Sequence, residues 1–237
     1  MVNEKKLEEL MEAAKKITEE DEMQIFTQAQ KEYPLLVKYR QRVAEQFLSH
    51  YKLMIDLVLR GHGGKLYSHS LVINGAILRS LNFYRGSIWA LASRNPHVFY
   101  DCLRAQCETL SLAHYCVKHP DYVVPATIGD REHPDQKLKI KNILTLVDEA
   151  NRKYKGLRED FDSLCELVHP NPSSLYANIQ PKMEVEKGKL PILVSTKSPR
   201  LTEDETEKNL KILVVWTTWI FNELTELAEY FKKTIKE

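Results

Sequence analysis

The sequence has no apolar run long enough to cross a bilayer and no excess of charge of either sign. Its most apolar stretch, residues 212–221, has ten residues, whereas a membrane-spanning helix needs about 20. The 34 Lys and Arg residues nearly balance 33 Asp and Glu residues, for a net charge of +1. Because non-specific nucleic-acid binding requires a basic surface, this balance argues against it, although a local basic patch is compatible with it. We expect residues 212–221 to form a buried helix segment, and we expect no membrane partner.

Paired cysteines and flexible linkers are also missing. The four cysteines, at positions 102, 107, 116 and 165, form no Cys-x-x-Cys pair, and a chain of this length does not need disulfide staples. No stretch rich in Gly, Ser or Pro divides the chain, so residues 1–237 are predicted to form a single helical domain. The N-terminus leads into an amphipathic acidic helix instead of a signal peptide. We therefore expect buried, reduced thiols in a cytoplasmic protein.

Nucleotide-binding and hydrolase motifs are absent as well. The loop Gly61-His62-Gly63-Gly64-Lys65 invites comparison with a phosphate-binding loop. That motif requires Ser or Thr after the lysine and a preceding strand, whereas Leu66 follows here and the preceding pattern is helical. We interpret the glycines as the end of a helix. The sequence contains no dinucleotide fingerprint and no Ser/His/Asp motif, and we predict no cofactor.

Helical periodicity extends over most of the chain. Apolar residues recur at steps of three and four, which is typical of helices that bury one face. Helices are predicted over residues 3–20, 25–60 (with a break or restart at Pro34), 66–92, 96–118, 135–154, 157–168 and 202–236. A loop is predicted around Pro125, Gly129 and Pro134. We assign residues 1–60 to N-terminal helices, residues 66–175 to a central bundle and residues 202–236 to a C-terminal helix.

Two segments carry hairpin signals. Asn74-Gly75 is a common hairpin turn, but the helical register of residues 66–92 continues through it, so we prefer a helix in which Gly75 and Gly86 allow a neighbouring helix to approach closely. Residues 180–196 alternate polar and apolar side chains around Gly188, which predicts a β-hairpin. The predicted fold is an all-α bundle of six or seven helices with a small β-hairpin inserted before the C-terminal helix.

The helix predicted over residues 96–118 is apolar nearly all round, which is typical of a central helix. Its narrow polar sector contains Asp101, Arg104, Glu108, Ser111 and Tyr115. Arg104 and Glu108 lie four residues apart and can pair on one face. Two interpretations are open: a buried ion pair that fixes helix packing, or a site for an anion or substrate.

A second polar group lies where the helix over residues 157–168 ends. Asp162, Glu166 and His169 share one face, and Pro170 disfavours continuation of the helix. A histidinium at a helix C-terminus is stabilised by the helix dipole. The group is either a solvated face with a capping histidine or part of a site.

If these two segments meet, they form a buried cluster of Arg, Glu and His. The candidate catalytic residues are then His169, Arg104 and Glu108. The candidate ligand-binding residues are Arg79, Arg85, Tyr115 and Glu166. A di-metal bundle site requires two Glu-x-x-His pairs, and only Glu166-x-x-His169 is present in the sequence. We therefore predict no metal site.

An Arg-x-x-x-Glu helix followed by a helix that ends in His-Pro resembles the HEPN-like group and related uncharacterised prokaryotic proteins, over about residues 66–175. The resemblance implies an all-α and often dimeric protein tied to defence, toxin–antitoxin pairs or RNA cleavage. The ribonucleases of that group carry an Arg four to six residues before the catalytic His. Here Arg158 lies eleven positions before His169, so only His169 matches, and Arg104, Arg79 or Arg85 would have to supply the arginine in space.

Three functions follow from these observations. The first is a homo-oligomeric binding and assembly protein, non-catalytic or weakly catalytic, whose cluster recognises a small anionic or nucleotide ligand or holds the fold. The second is a HEPN-like ribonuclease or toxin-type protein with RNA as its partner, in which His and Arg manage proton transfer and phosphate charge. The third, ranked last, is a carboxylate-metal bundle protein.

Overall fold

The computed structural model of the chain describes residue 27 and residues 67–92, 95–128, 139–168 and 203–234. Within the four ranges the chain forms α-helices and one short 3₁₀ helix, with no strand. The α-helices are α1 (Ser68–Ala92), α2 (Pro96–Lys118), α3 (Val123–Ile128), α4 (Ile143–Lys153), α5 (Leu157–Val168) and α6 (Glu203–Thr234), and the 3₁₀ helix is Pro120–Tyr122. The all-α class predicted from the sequence is confirmed for this part of the chain.

The segment with two interpretations is helical. Helix α1 runs through Asn74-Gly75 without a break. Its apolar side chains at steps of three and four are buried, among them Ile73, Ile77 and Leu81. Burial of this continuous stripe outweighs the local preference of Asn-Gly for a turn.

Helix α2 is the centre of the bundle, as its nearly all-apolar surface predicts. It packs against α1, α4, α5 and α6. Asn95 caps its N-terminus by accepting a hydrogen bond from the N–H of Val98 at 3.2 Å, and Pro96 occupies the first turn. Inside the bundle, Nε2 of Gln106 donates to the Ser80 carbonyl of α1 at 2.7 Å. This bond ties α2 to α1.

Two element boundaries differ from the prediction. Pro125, predicted in a loop, lies in the short helix α3. The helix predicted from residue 135 begins only at Ile143, because the Asn142 side chain caps it by accepting from the N–H of Leu144 at 3.0 Å. Residues 139–142 are not helical. Gly156, predicted to break this helix, has φ of +91° and separates α4 from α5.

Helix α6 contains the most apolar stretch of the sequence. Within residues 212–221, Leu213, Trp216 and Ile220 are buried, while Val215 is exposed. No helix in the described ranges is long and apolar enough to span a membrane.

Several predictions concern residues outside those that the structure describes. They are the helix over 3–20, most of the helix over 25–60, the β-hairpin over 180–196 and the position of His169. These remain predictions from the sequence.

The cysteines are free thiols. Cys102, Cys107 and Cys116 are buried as expected, whereas Cys165 is only half-buried. Burial raises the pKa of the Cys116 thiol to about 12 and that of Cys107 further. Because the thiolate is the reactive form, burial disfavours reaction at these two thiols.

The two glycines of α1 have different surroundings. A Cβ atom added to Gly86 would lie 2.9 Å from Sγ of Cys102 on α2. A Cβ atom added to Gly75 would have no atom within 4 Å. The predicted close approach of a neighbouring helix is therefore found at Gly86 and not at Gly75.

This contrast predicts opposite outcomes for the same substitution. Gly75→Ala is expected to raise the free energy of unfolding by about 0.5–1 kcal/mol, because alanine loses less backbone entropy in a helix and meets nothing here. Gly86→Ala is expected to lose that gain, because its methyl group meets Cys102. Urea denaturation measures both. In a Cys102→Ala background, Gly86→Ala should show the gain in the free energy of unfolding. Equal stabilisation by Gly75→Ala and Gly86→Ala in the wild-type background would contradict the packing at Gly86.

Candidate functional site

Glu108 of α2 binds two arginines through its two carboxylate oxygens. Nε of Arg104 lies 3.2 Å from Oε1, which forms the pair expected from the four-residue spacing. Nη2 of Arg79, on α1, lies 2.9 Å from Oε2. Arg79, predicted as a ligand-binding residue and as one possible replacement for the missing arginine, therefore joins Arg104 and Glu108, two of the three candidate catalytic residues, in one cluster.

The cluster is not buried, contrary to the prediction. The side chains are 46% exposed at Arg79, 29% at Arg104 and 21% at Glu108. Full burial would remove three charges from water, and their mutual attraction repays that cost only with excellent geometry and further hydrogen bonds. Their position at the edge of the α1–α2 contact leaves them accessible to a ligand.

The Arg79 guanidinium is held in place by more than its ion pair. Its Nε donates to Oγ1 of Thr109 at 3.1 Å, and Thr109 in turn donates to the Ala105 carbonyl at 2.7 Å. The guanidinium carbon lies 4.9 Å from the centre of the Phe83 ring, one turn later on α1. These contacts orient the arginine before any ligand arrives.

Arg79 and Glu108 line a cleft of about 280 Å³. The other lining residues are Thr109, Leu112, Tyr122, Ala126, Ile140, Lys141, Ile143 and Leu146. They come from α2, the 3₁₀ helix, α3, the segment before α4, and α4 itself. The cleft thus combines a charged edge with a largely apolar wall.

The segment before α4 is fixed across this cleft by a tyrosine. The N–H of Lys141 donates to the Tyr122 hydroxyl at 2.9 Å. Within the described ranges, the Lys141 ammonium forms no ion pair. Lys141 therefore adds a positive charge to the wall of the cleft.

The remaining predicted ligand-binding residues do not line the cleft. Arg85 is half-buried on α1, and Glu166 is exposed on α5. Tyr115 is buried, and its ring centre lies 4.7 Å from that of Tyr122. It therefore packs against a residue that lines the cleft. Helix spacing placed Tyr115 on the polar face but could not show that it packs against Tyr122.

His169 lies outside the described residues, but its neighbour on α5 is informative. Burial is the main cause of the raised pKa of Cys165, the charge of Arg104 opposes it, and that of Glu108 adds to it. Cys165 is four residues before His169 in sequence. Cys165 therefore lies within electrostatic reach of Arg104 and Glu108.

A metal centre is not found in the part of the chain that the structure describes. There, no group of three or more His, Cys, Asp or Glu side chains is arranged to hold a metal ion. Glu166, half of the sequence pair Glu166-x-x-His169, is exposed on α5.

A second polar cluster, which sequence reasoning missed, surrounds Glu223 of α6. The Glu223 side chain is 0% exposed. Its Oε1 accepts hydrogen bonds from Nδ1 of His114 at 3.0 Å, from Nζ of Lys153 at 2.8 Å and from the Tyr154 hydroxyl. Within the part of the chain that the structure describes, its Oε2 accepts no hydrogen bond. We call these four residues the Glu223 network.

The donors control the ionisation of this carboxylate. Burial alone would raise the pKa of Glu223, but the hydrogen bonds from His114, Lys153 and Tyr154 outweigh it and lower the pKa to about 2. Burial and the bond to Glu223 raise the pKa of Tyr154. The Tyr154 ring also stacks on Trp219 with ring centres 4.4 Å apart. The network therefore holds a buried charge at neutral pH.

One sequence signal could have revealed Glu223. It lies three residues after Ile220 and four before Leu227, which places a carboxylate inside the apolar stripe of α6. His114 similarly lies on an apolar face of α2. A single polar residue on an apolar helix face is common, and only the fold shows that Glu223 and His114 meet.

The two clusters differ in access to solvent. The Arg79–Glu108 cleft is open, while the Glu223 carboxylate is buried, and its partner Lys153 has a side chain that is 47% exposed. The cleft is thus the candidate binding site, and the Glu223 network is a structural element. No protein-family model, curated protein or solved structure matches this chain.

Proposed function

We propose that the protein binds a small anionic ligand in the cleft beside Arg79 and Glu108. The observation that carries this proposal is an oriented, half-exposed arginine at the edge of a cleft whose wall is mostly apolar. Ligand sites in proteins combine apolar walls with a few placed polar groups in this way.

The charges of the cleft favour an anion. Arg79 and Lys141 contribute two positive charges to the lining, and Glu108 contributes one negative charge. Arg104, outside the lining, compensates Glu108 from its other oxygen. A guanidinium can bind a carboxylate or phosphate through two parallel hydrogen bonds, which also fixes the orientation of the ligand.

The volume of the cleft limits the ligand. At about 280 Å³, it lies just below the range of about 300–1,000 Å³ that is typical of small-molecule sites. We therefore expect a small organic anion instead of a nucleic-acid strand or a protein segment. Homo-oligomeric assembly, expected from the sequence, is a separate part of the proposal that size measurement in solution tests.

Substitution of Arg79 tests the proposal. We expect 4-methylpentanoate, a small anion with a branched apolar tail, to shift the backbone amide resonances of Thr109, Ala126 and Lys141 in an NMR titration. Arg79→Gln is expected to weaken this binding at least about tenfold, because it removes a charge-assisted hydrogen bond worth about 1.5–3 kcal/mol.

Arg158→Gln is the matched control. Arg158 also pairs with carboxylates, Asp148 at 2.7 Å and Asp162 at 2.8 Å, but it does not line the cleft. This variant should bind like the wild type. Failure of 4-methylpentanoate, benzoate, inorganic phosphate and AMP alike to shift cleft resonances would refute the proposal, and so would unchanged binding by Arg79→Gln.

The ribonuclease alternative depends on His169, which lies outside the described residues. Arg104 and Arg79, which would have to replace the missing arginine, both bind Glu108. This pairing leaves a binding role as the simpler interpretation of both arginines. An RNA-cleavage assay on the wild type and on His169→Ala tests the alternative directly.

A further inference from the structure

The Arg79–Glu108 ion pair presents both signs of charge to the cleft. Nη2 of Arg79 and Oε2 of Glu108 are 2.9 Å apart, and both residues line the same cavity. A ligand that carries only a negative charge can bind Arg79 only beside or in place of the Glu108 carboxylate, which repels it. A ligand with adjacent positive and negative groups can instead form two ion pairs, one with Arg79 and one with Glu108, in place of the single pair between these residues.

Glu108 can exchange Arg79 for a ligand because Arg104 binds its other carboxylate oxygen. Arg104 binds Oε1 at 3.2 Å, while Arg79 binds Oε2. If Arg79 turns to a ligand, Arg104 still positions the Glu108 carboxylate, and Oε2 becomes an acceptor for an ammonium group. The bond from Nε of Arg79 to Thr109 is independent of Glu108 and can persist in the same state.

The rest of the cleft suits an apolar side chain. Leu112, Ile143 and Leu146 form its wall, and Ile140 beside them is 52% exposed. An aliphatic or aromatic group placed there would cover apolar surface that is now in contact with water. Lys141, also in the lining, adds a second positive charge for a ligand carboxylate.

We infer that the ligand of this cleft is an α-amino acid, or an equally small zwitterion, with an apolar side chain. This inference rests on the proposed anion-binding function and names its ligand class. The ligand carboxylate binds Arg79, its ammonium group binds Oε2 of Glu108, and its side chain lies against Leu112, Ile143 and Leu146. Three chemical features of the ligand are thus recognised by three separate parts of one cleft.

A series of ligands with one carbon skeleton tests this inference on the wild-type protein. Leucine has both charges, 4-methylpentanoate lacks the ammonium group, 3-methylbutylamine lacks the carboxylate, and glycine lacks the side chain. Calorimetric or NMR titration is expected to show leucine binding at least about tenfold more tightly than each of the other three.

Glu108→Gln provides a second test. This variant should bind leucine at least about tenfold more weakly than the wild type does, so that leucine no longer binds more tightly than 4-methylpentanoate. Its affinity for 4-methylpentanoate should equal or exceed that of the wild type. Asp162→Asn is the matched control, because it removes a carboxylate from the similar pair with Arg158 on α5 and should change neither affinity.

The outcomes separate this inference from the proposed function. If 4-methylpentanoate binds at the cleft as tightly as leucine, the zwitterion inference is wrong and anion binding stands. Retention of the preference for leucine by Glu108→Gln would also overturn the inference. If no member of the series shifts cleft resonances, and phosphate and AMP fail as well, both proposals are refuted.

Discussion

Replacement of Glu223 by glutamine is expected to lower the free energy of unfolding by about 3 kcal/mol. Removing one partner from a buried, hydrogen-bonded charge cluster typically costs about 3–5 kcal/mol. Glutamine keeps the shape of the side chain, but it removes the charge and places an amide N–H₂ among groups that donate. Glu223→Ala should cost more, because it also leaves a cavity. Chemical denaturation monitored by circular dichroism measures both changes.

Glu226→Gln is the control for this prediction. Glu226 lies three residues further along α6, and its side chain is 61% exposed with Oε2 3.9 Å from Nζ of Lys153. Such an exposed pair contributes little, so this variant should change the free energy of unfolding by less than about 0.5 kcal/mol. If Glu223→Gln were equally harmless, the carboxylate would not stabilise the fold.

Acid is expected to remove from the wild type the same stability that Glu223→Gln removes at neutral pH. The folded protein holds the pKa of Glu223 at about 2, below its ordinary value of 4.5. A lowered pKa stabilises the folded state above the unfolded value and loses that effect as the pH falls through the folded value. At about 1.4 kcal/mol per pH unit between these values, the loss between pH 4.5 and 2 is on the order of 3 kcal/mol.

The difference between the two proteins isolates this effect from other carboxylates. The wild type should exceed Glu223→Gln in stability by a constant amount above about pH 5. The excess should shrink as the pH falls and be mostly lost near pH 2. Urea denaturation at a series of pH values gives both curves. A difference that does not change with pH would show that the ionised form of Glu223 is not what stabilises the fold.

The Glu223 network is also connected to a helix that lines the cleft. Glu223 on α6 connects to α2 through His114 and to the C-terminal end of α4 through Lys153 and Tyr154. The N-terminal part of α4 forms the wall of the cleft. Loss of the network is therefore expected to loosen the helix that carries the apolar half of the site.

The helices were predictable because their signals are local. The periodic apolar residues of α1 specified a helix through Asn74-Gly75, and Gly156 marked the end of α4. Arg104 and Glu108 were paired correctly because residues four apart meet on any helix. The start of α4 was missed, since the Lys-rich pattern before it resembles a helix and the cap at Asn142 overrode it.

The contacts between helices were not predictable in the same way. Arg79 and Glu108 are 29 residues apart, and His114 and Glu223 are 109 apart. Which side chains meet depends on how the helices cross, and the periodicity of one helix carries no information on that. The predicted cluster was also expected to be buried and is partly exposed. A helical wheel shows the direction in which a side chain points but not how deeply it is buried.

By itself, the sequence determined the all-α class, the central position of α2 and one ion pair, since these follow from spacing along a single helix. Only the tertiary structure decided that Arg79 completes the pair at the edge of an open cleft, and that a carboxylate within the apolar stripe of α6 meets three donors. The physical reason is that charge and burial depend on neighbours in space. For this protein those neighbours come from different helices, 29 residues away for Arg79 and Glu108 and 109 residues away for His114 and Glu223.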